Sequence, residues 1–192
     1  MQKRMLGESG IEASVVGLGT WVTGGGEMWN GADDAESERA IRAALDHGIT
    51  LIDTAPAYGW GRSEEIVGRA IRGRRDQVVL ATKCGMWWED KRGSFHFAFD
   101  GHETYISLRP DTLAVEIENS LRRLGTDHID LYQPHWPSKE PDLTPIEDTM
   151  AFLLKLKDQG KIRAIGVSNV SVEQLARHRA CGPIASDQFR YS

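Results

Sequence analysis

Cysteine is scarce in this 192-residue chain: Cys84 and Cys181 are its only two, and they share no CxxC spacing. That excludes a disulfide scaffold and a thiolate metal ribbon. No apolar run approaches the roughly 18 residues of a bilayer span, so no membrane partner is expected. The N-terminal Met1-Gln2-Lys3-Arg4-Met5 has no apolar segment behind its charges, so secretion is not expected and the reading is cytoplasmic. A basic cluster is missing too. The 23 Lys and Arg are scattered among 28 Asp and Glu, for a net charge of −5, which argues against a nucleic-acid partner. Neither a linker-like composition shift nor an internal repeat is visible. What remains is an ordinary globular composition, 40% hydrophobic and 27% charged, at a length that suits one domain over residues 1–192.

Strand and helix patterns alternate along that domain. Arg4-Met5-Leu6 and Ala13-Ser14-Val15-Val16 flank Gly7-Glu8-Ser9-Gly10 as a hairpin. Strands are then predicted at Val16–Thr20, Ile49–Asp53, Val78–Lys83, Ile129–Gln133, Ile162–Val167 and Ile184–Phe189. Helices are predicted between them: Ser37–His47, Glu64–Arg72 capped by Ser63, one starting at Arg109-Pro110-Asp111, Pro145–Gln159 and Ser171–Arg179. Such alternation implies right-handed βαβ units and a parallel sheet. An open dinucleotide-binding sheet should carry GxGxxG after its first strand, and neither Gly17-Leu18-Gly19 nor Gly24-Gly25-Gly26 has that spacing. A (β/α) barrel instead collects polar residues at the carboxyl ends of several strands. This sequence does so at Asp53, Lys83, His135, Ser168, Asn169 and Gln188.

Those strand ends read Leu51-Ile52-Asp53-Thr54-Ala55-Pro56-Ala57-Tyr58-Gly59, Ala81-Thr82-Lys83, Tyr132-Gln133-Pro134-His135-Trp136 and Gly166-Val167-Ser168-Asn169. In this order they resemble the aldo-keto reductase family, from the hairpin to the last residue. Gln188-Phe189-Arg190-Tyr191 resembles its bacterial oxidoreductase branch, near the potassium-channel β-subunits. The resemblance implies a (β/α)8 TIM barrel with an N-terminal hairpin, here strands 1–6 of 8, and reduction of an aldehyde or ketone by a nicotinamide cofactor. It implies Asp53, Tyr58, Lys83 and His135 as the catalytic group, with Tyr58 the general acid. It also implies Gly19, Thr20, Asp53, Ser168, Asn169 and Gln188 on the cofactor side, the last three last-named at the nicotinamide amide. NADP(H) is the family's usual cofactor. The segment that would separate it from NAD(H) lies beyond residue 192, and the 192 residues are expected to be part of a longer chain.

The chemistry of these residues agrees with the resemblance. A free phenol, with a pKa of about 10, is a weak acid. A neighbouring Lys83 ammonium would lower that value, and Asp53 would hold the ammonium in place. His135 would polarise the substrate oxygen, although Pro134 could turn the strand end beneath it. Ser168-Asn169 could equally cap the following helix. The long stretch Gly85 to Leu108 reads as a functional loop. Its Trp87 and Trp88, with Trp21, Trp29, Trp60 and Trp136 on other loops, are expected to line an aromatic substrate pocket, or else to pack the barrel rim and core. His96 and His102 lack carboxylate partners, so no metal is expected. Two other readings compete. One is a cofactor-binding regulatory module with little turnover, and the other a Schiff-base aldolase using Lys83. The oligomeric state is not legible.

Overall fold

The computed structural model, which describes residues 1–29 and 31–190, opens with β1 (Lys3–Met5) antiparallel to β2 (Glu12–Ser14). Each strand lies slightly N-terminal of its expected position. The rest follows as β3 (Gly17–Gly19), α1 (Asp34–Asp46), β4 (Leu51–Asp53), α2 (Arg62–Ala70) and β5 (Val79–Cys84). An excursion of β6 (Met86–Trp87), β7 (Ser94–Phe99) and β8 (His102–Ile106) comes next. The chain then runs through α3 (Pro110–Leu124), β9 (Ile129–Pro134), α4 (Ile146–Asp158), β10 (Ile162–Ile165), β11 (Val167–Ser168), α5 (Val172–Cys181) and β12 (Asp187–Gln188).

Strands β3, β4, β5, β9 and β10 form one parallel sheet in chain order, and β11 pairs in parallel with β12. A break at Gly166 separates β10 from β11, so the expected fifth strand comes in two pieces. A Cβ at Gly166 would lie 2.4 Å from Ser186 Oγ and 2.8 Å from Gln133 Oε1, which explains the glycine. The sixth strand is shorter than expected, with only Asp187 and Gln188 in the ladder. Tyr191 lies outside the described residues. This is the (β/α) barrel layout of the expectation, seen in its N-terminal strands.

Side-chain alternation sorts the residues of the sheet into two layers. Ile52, Leu80, Cys84, Tyr132 and Ile165 face outward and pack on the helices with Ile41, Ile66, Leu113, Ile117 and Leu153. Val79, Ala81, Leu131 and Ala164 face inward and meet Ile11 and Ala13 of the hairpin, which closes that end. Lys83 shares the parity of Val79 and Ala81, and Asp53 that of the inward Leu51. The same period-two rule that fills the interior therefore delivers charged residues to its open end.

The helix ends explain several boundary shifts. Asp33 caps α1, its side chain accepting from Glu36 N at 2.7 Å, so this helix starts earlier than expected. α2 is preceded by Gly61 at φ 100° rather than by a Ser63 cap, and it ends at Ala70 rather than Arg72. Pro110 opens α3 and Gly125, at φ 65°, closes it. Ser171 and Gln174 form a capping box on α5, so Ser168-Asn169 does not cap that helix. Among the described residues no helix is long and apolar enough to cross a membrane.

Candidate active site

Lys83 is 2% exposed and the centre of the polar group at the strand ends. Its Nζ donates to Asp53 Oδ1 and Oδ2 at 2.9 and 2.8 Å and to Thr54 O at 3.0 Å. Tyr58 Oη lies 3.4 Å away. A buried ammonium is tolerated only with such a full set of acceptors. The His135 ring stands edge-on to Tyr58, centroids 5.7 Å apart. Asp53, Tyr58, Lys83 and His135 are thus brought together.

One electrostatic expectation changes. The Tyr58 hydroxyl stays above the ordinary phenol range because burial outweighs the lowering effect of Lys83, and Asp53 adds to the rise. Tyr58 is therefore a protonated phenol at neutral pH. Burial, then the charge of Lys83, pushes His135 down to about 3, so its ring is neutral. Pro134 does not turn the strand end. It pairs with Cys84 in the ladder, and His135 N donates to Cys84 O at 2.9 Å, so the ladder continues past the proline.

Beside this group lie Ser168, Asn169 and Gln188. Asn169, at φ 58°, donates Nδ2 to His135 O at 2.9 Å and to Ser168 Oγ at 3.1 Å. Gln188 Nε2 donates to Asp53 Oδ2 at 3.2 Å. Gly19 stands opposite Asp53 in the ladder. Thr20, expected on the cofactor side, is fully buried, and its hydroxyl is spent on Asp53 O and Ser63 Oγ. It braces the site from behind.

That bracing went unread in the sequence. Ser63 Oγ lies 2.9, 2.8 and 2.9 Å from the hydroxyls of Thr20, Thr23 and Thr54, and Ser63 N donates to Tyr58 O at 3.1 Å. Next to it the buried Glu64 accepts from Thr82 Oγ1 and Arg123 Nε, both at 2.7 Å. The first turn of α2 thus grips the backbone around Asp53, Tyr58 and Lys83. Gly59, at φ 63°, leaves room for Gly24, whose carbonyl would be 2.1 Å from a Cβ there. No residue but glycine fits that approach.

A cavity of about 490 Å³ opens in front of Tyr58 and His135. Trp21, Trp29, Trp60, Phe97, Phe99 and Trp136 supply its aromatic walls. Trp21 and Trp136 are thus where they were expected. Trp87 is not: it is 3% exposed, donates to Asp90 at 2.9 Å and lies under the Arg92 guanidinium. Trp88 packs behind Trp60, ring centroids 5.7 Å apart, rather than lining the cavity. The expected long loop is in fact an antiparallel sheet, in the order β6-β8-β7, and β7 forms one cavity wall. Its Asp100-Gly101 turn, with φ of 50° and 75°, was a legible hairpin signal. His102 stacks on Trp60 at 4.5 Å. Among the described residues no three His, Cys, Asp or Glu are grouped as metal ligands.

The model of the aldo/keto reductase family matches residues 15–192. The chain is 50% identical over its full length to the aldo-keto reductase YhdN of Bacillus subtilis (strain 168), and spans 54% of that protein. It is 44% identical to the NADH-specific methylglyoxal reductase of Escherichia coli (strain K12), all of the chain matching 59% of that relative. The solved structure of glycerol dehydrogenase AKR11B4 from Gluconobacter oxydans superposes with a TM-score of 0.82 at 45% identity, over 97% of this chain and 54% of that one. The chain therefore spans little more than half the length of the relatives it matches.

Proposed function

Since the chain belongs to the aldo/keto reductase family, we propose that it reduces the carbonyl of an aldehyde or ketone to an alcohol with NADP(H) or NAD(H). Residues 1–192 act in this reading as one barrel-type domain. The observation that carries it is the line Asp53–Lys83–Tyr58 ending in a cavity, with His135 beside the phenol.

Ser168, Asn169 and Gln188 suit a nicotinamide. Between them they offer hydroxyl, amide N–H and amide carbonyl groups at adjacent strand ends, the donor and acceptor set a primary carboxamide requires. They would hold that amide, with Gly19 leaving open space beside Asp53. When bound, the reduced cofactor supplies the hydride.

The chain's own residues supply the rest. Tyr58 and the neutral His135 both donate to the carbonyl oxygen and polarise it. As negative charge grows on that oxygen, the Tyr58 O–H bond breaks and the proton passes to it, completing the alcohol. The phenolate left behind faces Lys83 Nζ at 3.4 Å, and Asp53 holds that ammonium in place. Lys83 is thus a stabiliser of the phenolate and not a nucleophile, because its Nζ is taken up by Asp53, Thr54 O and Tyr58.

The test is steady oxidation of NADPH and of NADH by the full-length protein with a panel of carbonyls. Methylglyoxal and oxidised polyols come first, since relatives are named for methylglyoxal and glycerol. Sustained turnover supports the reading. Cofactor binding without turnover on any carbonyl would favour the regulatory-module alternative.

A further inference from the structure

His96 has no part in the chemistry above, yet the fold sets it apart. In the pairing of β7 with β8, Phe95 stands opposite Tyr105 and Phe97 opposite Thr104. His96 is therefore the extra residue of a β-bulge. Bulges re-aim a side chain that regular alternation would send elsewhere, and they favour the edges of active sites. Here the bulge lets His96 and Phe97 both line the cavity that holds Tyr58 and His135.

The ring is held on two sides. It packs on Trp136, centroids 5.3 Å apart, and Lys139 Nζ sits 3.2 Å from its Nδ1. An ammonium can only donate, so Nδ1 must accept, and the proton of the neutral ring belongs on Nε2. Burial and the Lys139 charge both favour that neutral form. His96 lines the cavity and Lys139 does not, so with Nδ1 engaged by Lys139 the Nε2–H is the polar edge of the ring left over for a ligand in the cavity. Among the described residues no protein acceptor takes that proton. In a cavity walled mainly by aromatic rings, this is a directed donor separate from Tyr58 and His135.

We propose that His96 Nε2–H donates to a second oxygen on the carbon next to the reacting carbonyl, so that the site selects α-hydroxy carbonyls and α-dicarbonyls over simple aldehydes. This rests on the carbonyl-reducing reading above and adds to it a substrate class and the residue that sets it.

The experiment compares kcat/KM for methylglyoxal with that for propanal, which has the same three carbons and lacks the second oxygen, in the full-length protein. His96→Phe keeps a ring of similar shape and removes the donor. It should lower the methylglyoxal-to-propanal ratio about tenfold, as loss of one hydrogen bond predicts, while propanal turnover changes less than about threefold. His96→Gln retains an N–H and should recover part of the ratio. Lys139→Met releases the tautomer and should lower the ratio by a smaller factor, which keeps the proposal testable if His96→Phe does not fold. An equal effect on both substrates would overturn the proposal and leave the carbonyl-reducing reading standing. A wild-type protein that reduces neither compound would instead overturn that reading, and this one with it.

Discussion

At the scale of single residues, the phenol of Tyr58 is pulled in opposite directions. Burial and Asp53 raise its pKa, and Lys83 lowers it. Lys83→Met removes the one lowering influence, so the basic limb of the pH–rate profile should move to higher pH as activity falls. An active variant with an unmoved limb would separate Lys83 from the tuning of Tyr58. The same change leaves Asp53 without its cation, and breaking a buried pair costs about 3–5 kcal/mol. Stability should therefore be measured alongside. Tyr58→Phe removes only the proton donor. It should cut kcat by about 100-fold or more, roughly 2.7 kcal/mol of barrier, with the cofactor Kd nearly unchanged. Retention of a tenth of kcat would take Tyr58 out of that role. That Asp53, Lys83 and His135 gather at strand ends was legible because polar residues at the ends of apolar strands are conspicuous, whereas Tyr58, in the loop after β4, was singled out only by the family resemblance. His96 was not, because its exit from the strand pattern depends on a bulge that only pairing with β8 reveals.

At the scale of elements, the first turn of α2 and the hairpin of β7 and β8 do separate jobs. Ser63→Ala would leave the buried Thr54 hydroxyl without its partner, at a cost of about 1–3 kcal/mol read as a lower denaturant midpoint. An unchanged midpoint would mean that water or a rotated hydroxyl makes good the loss. The hairpin gives a contrast between two tryptophans. Trp60 lines the cavity and Trp87 is buried away from it. Trp60→Ala should change relative kcat/KM across a carbonyl panel, and Trp87→Ala should lower stability by about 3–5 kcal/mol with the selectivity kept. The reverse pattern would return Trp87 to the pocket. Sequence length alone made residues 85–108 a loop, and their aromatic richness made every tryptophan in them a wall. The alternation of Phe95, Phe97 and Phe99 before Asp100-Gly101 carried the better signal. Ser63 looked like a cap because serine before acidic residues usually is one. Here Gly61 starts the helix two residues earlier in the chain, and Ser63 is drawn inward to the threonines.

At the scale of the whole molecule, the half-buried His135 and the buried Glu116, on opposite faces of β5 and β9, give the fold opposing responses to pH. His135, on the inner side, is held down at about 3. Between that value and the ordinary 6.5, the unfolded chain binds the extra proton, so stability rises with pH across this window. Glu116 of α3, on the outer side, behaves inversely. Its Oε2 accepts from Gly85 N at 2.7 Å, and Oε1 is buried with no protein partner among the described residues. Burial pushes this carboxyl from 4.5 up to about 8, and the charge of Glu64 adds to the rise, against lowering by the Gly85 N–H and Arg123. Between those two values the folded state holds the extra proton, so stability should fall as pH rises from about 4.5 to about 8. The two effects oppose each other near pH 5–6, and only the decline from Glu116 remains above about 6.5. Glu116→Gln keeps an acceptor for Gly85 N and cannot ionise. From pH 5.5 to pH 8 the urea midpoint should therefore fall in the wild-type protein and rise slightly in this variant, where only the His135 response is left, the two changes differing by an amount on the order of a few kcal/mol. Parallel declines in both proteins would place the pH sensitivity elsewhere and show that Glu116 is stabilised as a carboxylate inside the fold.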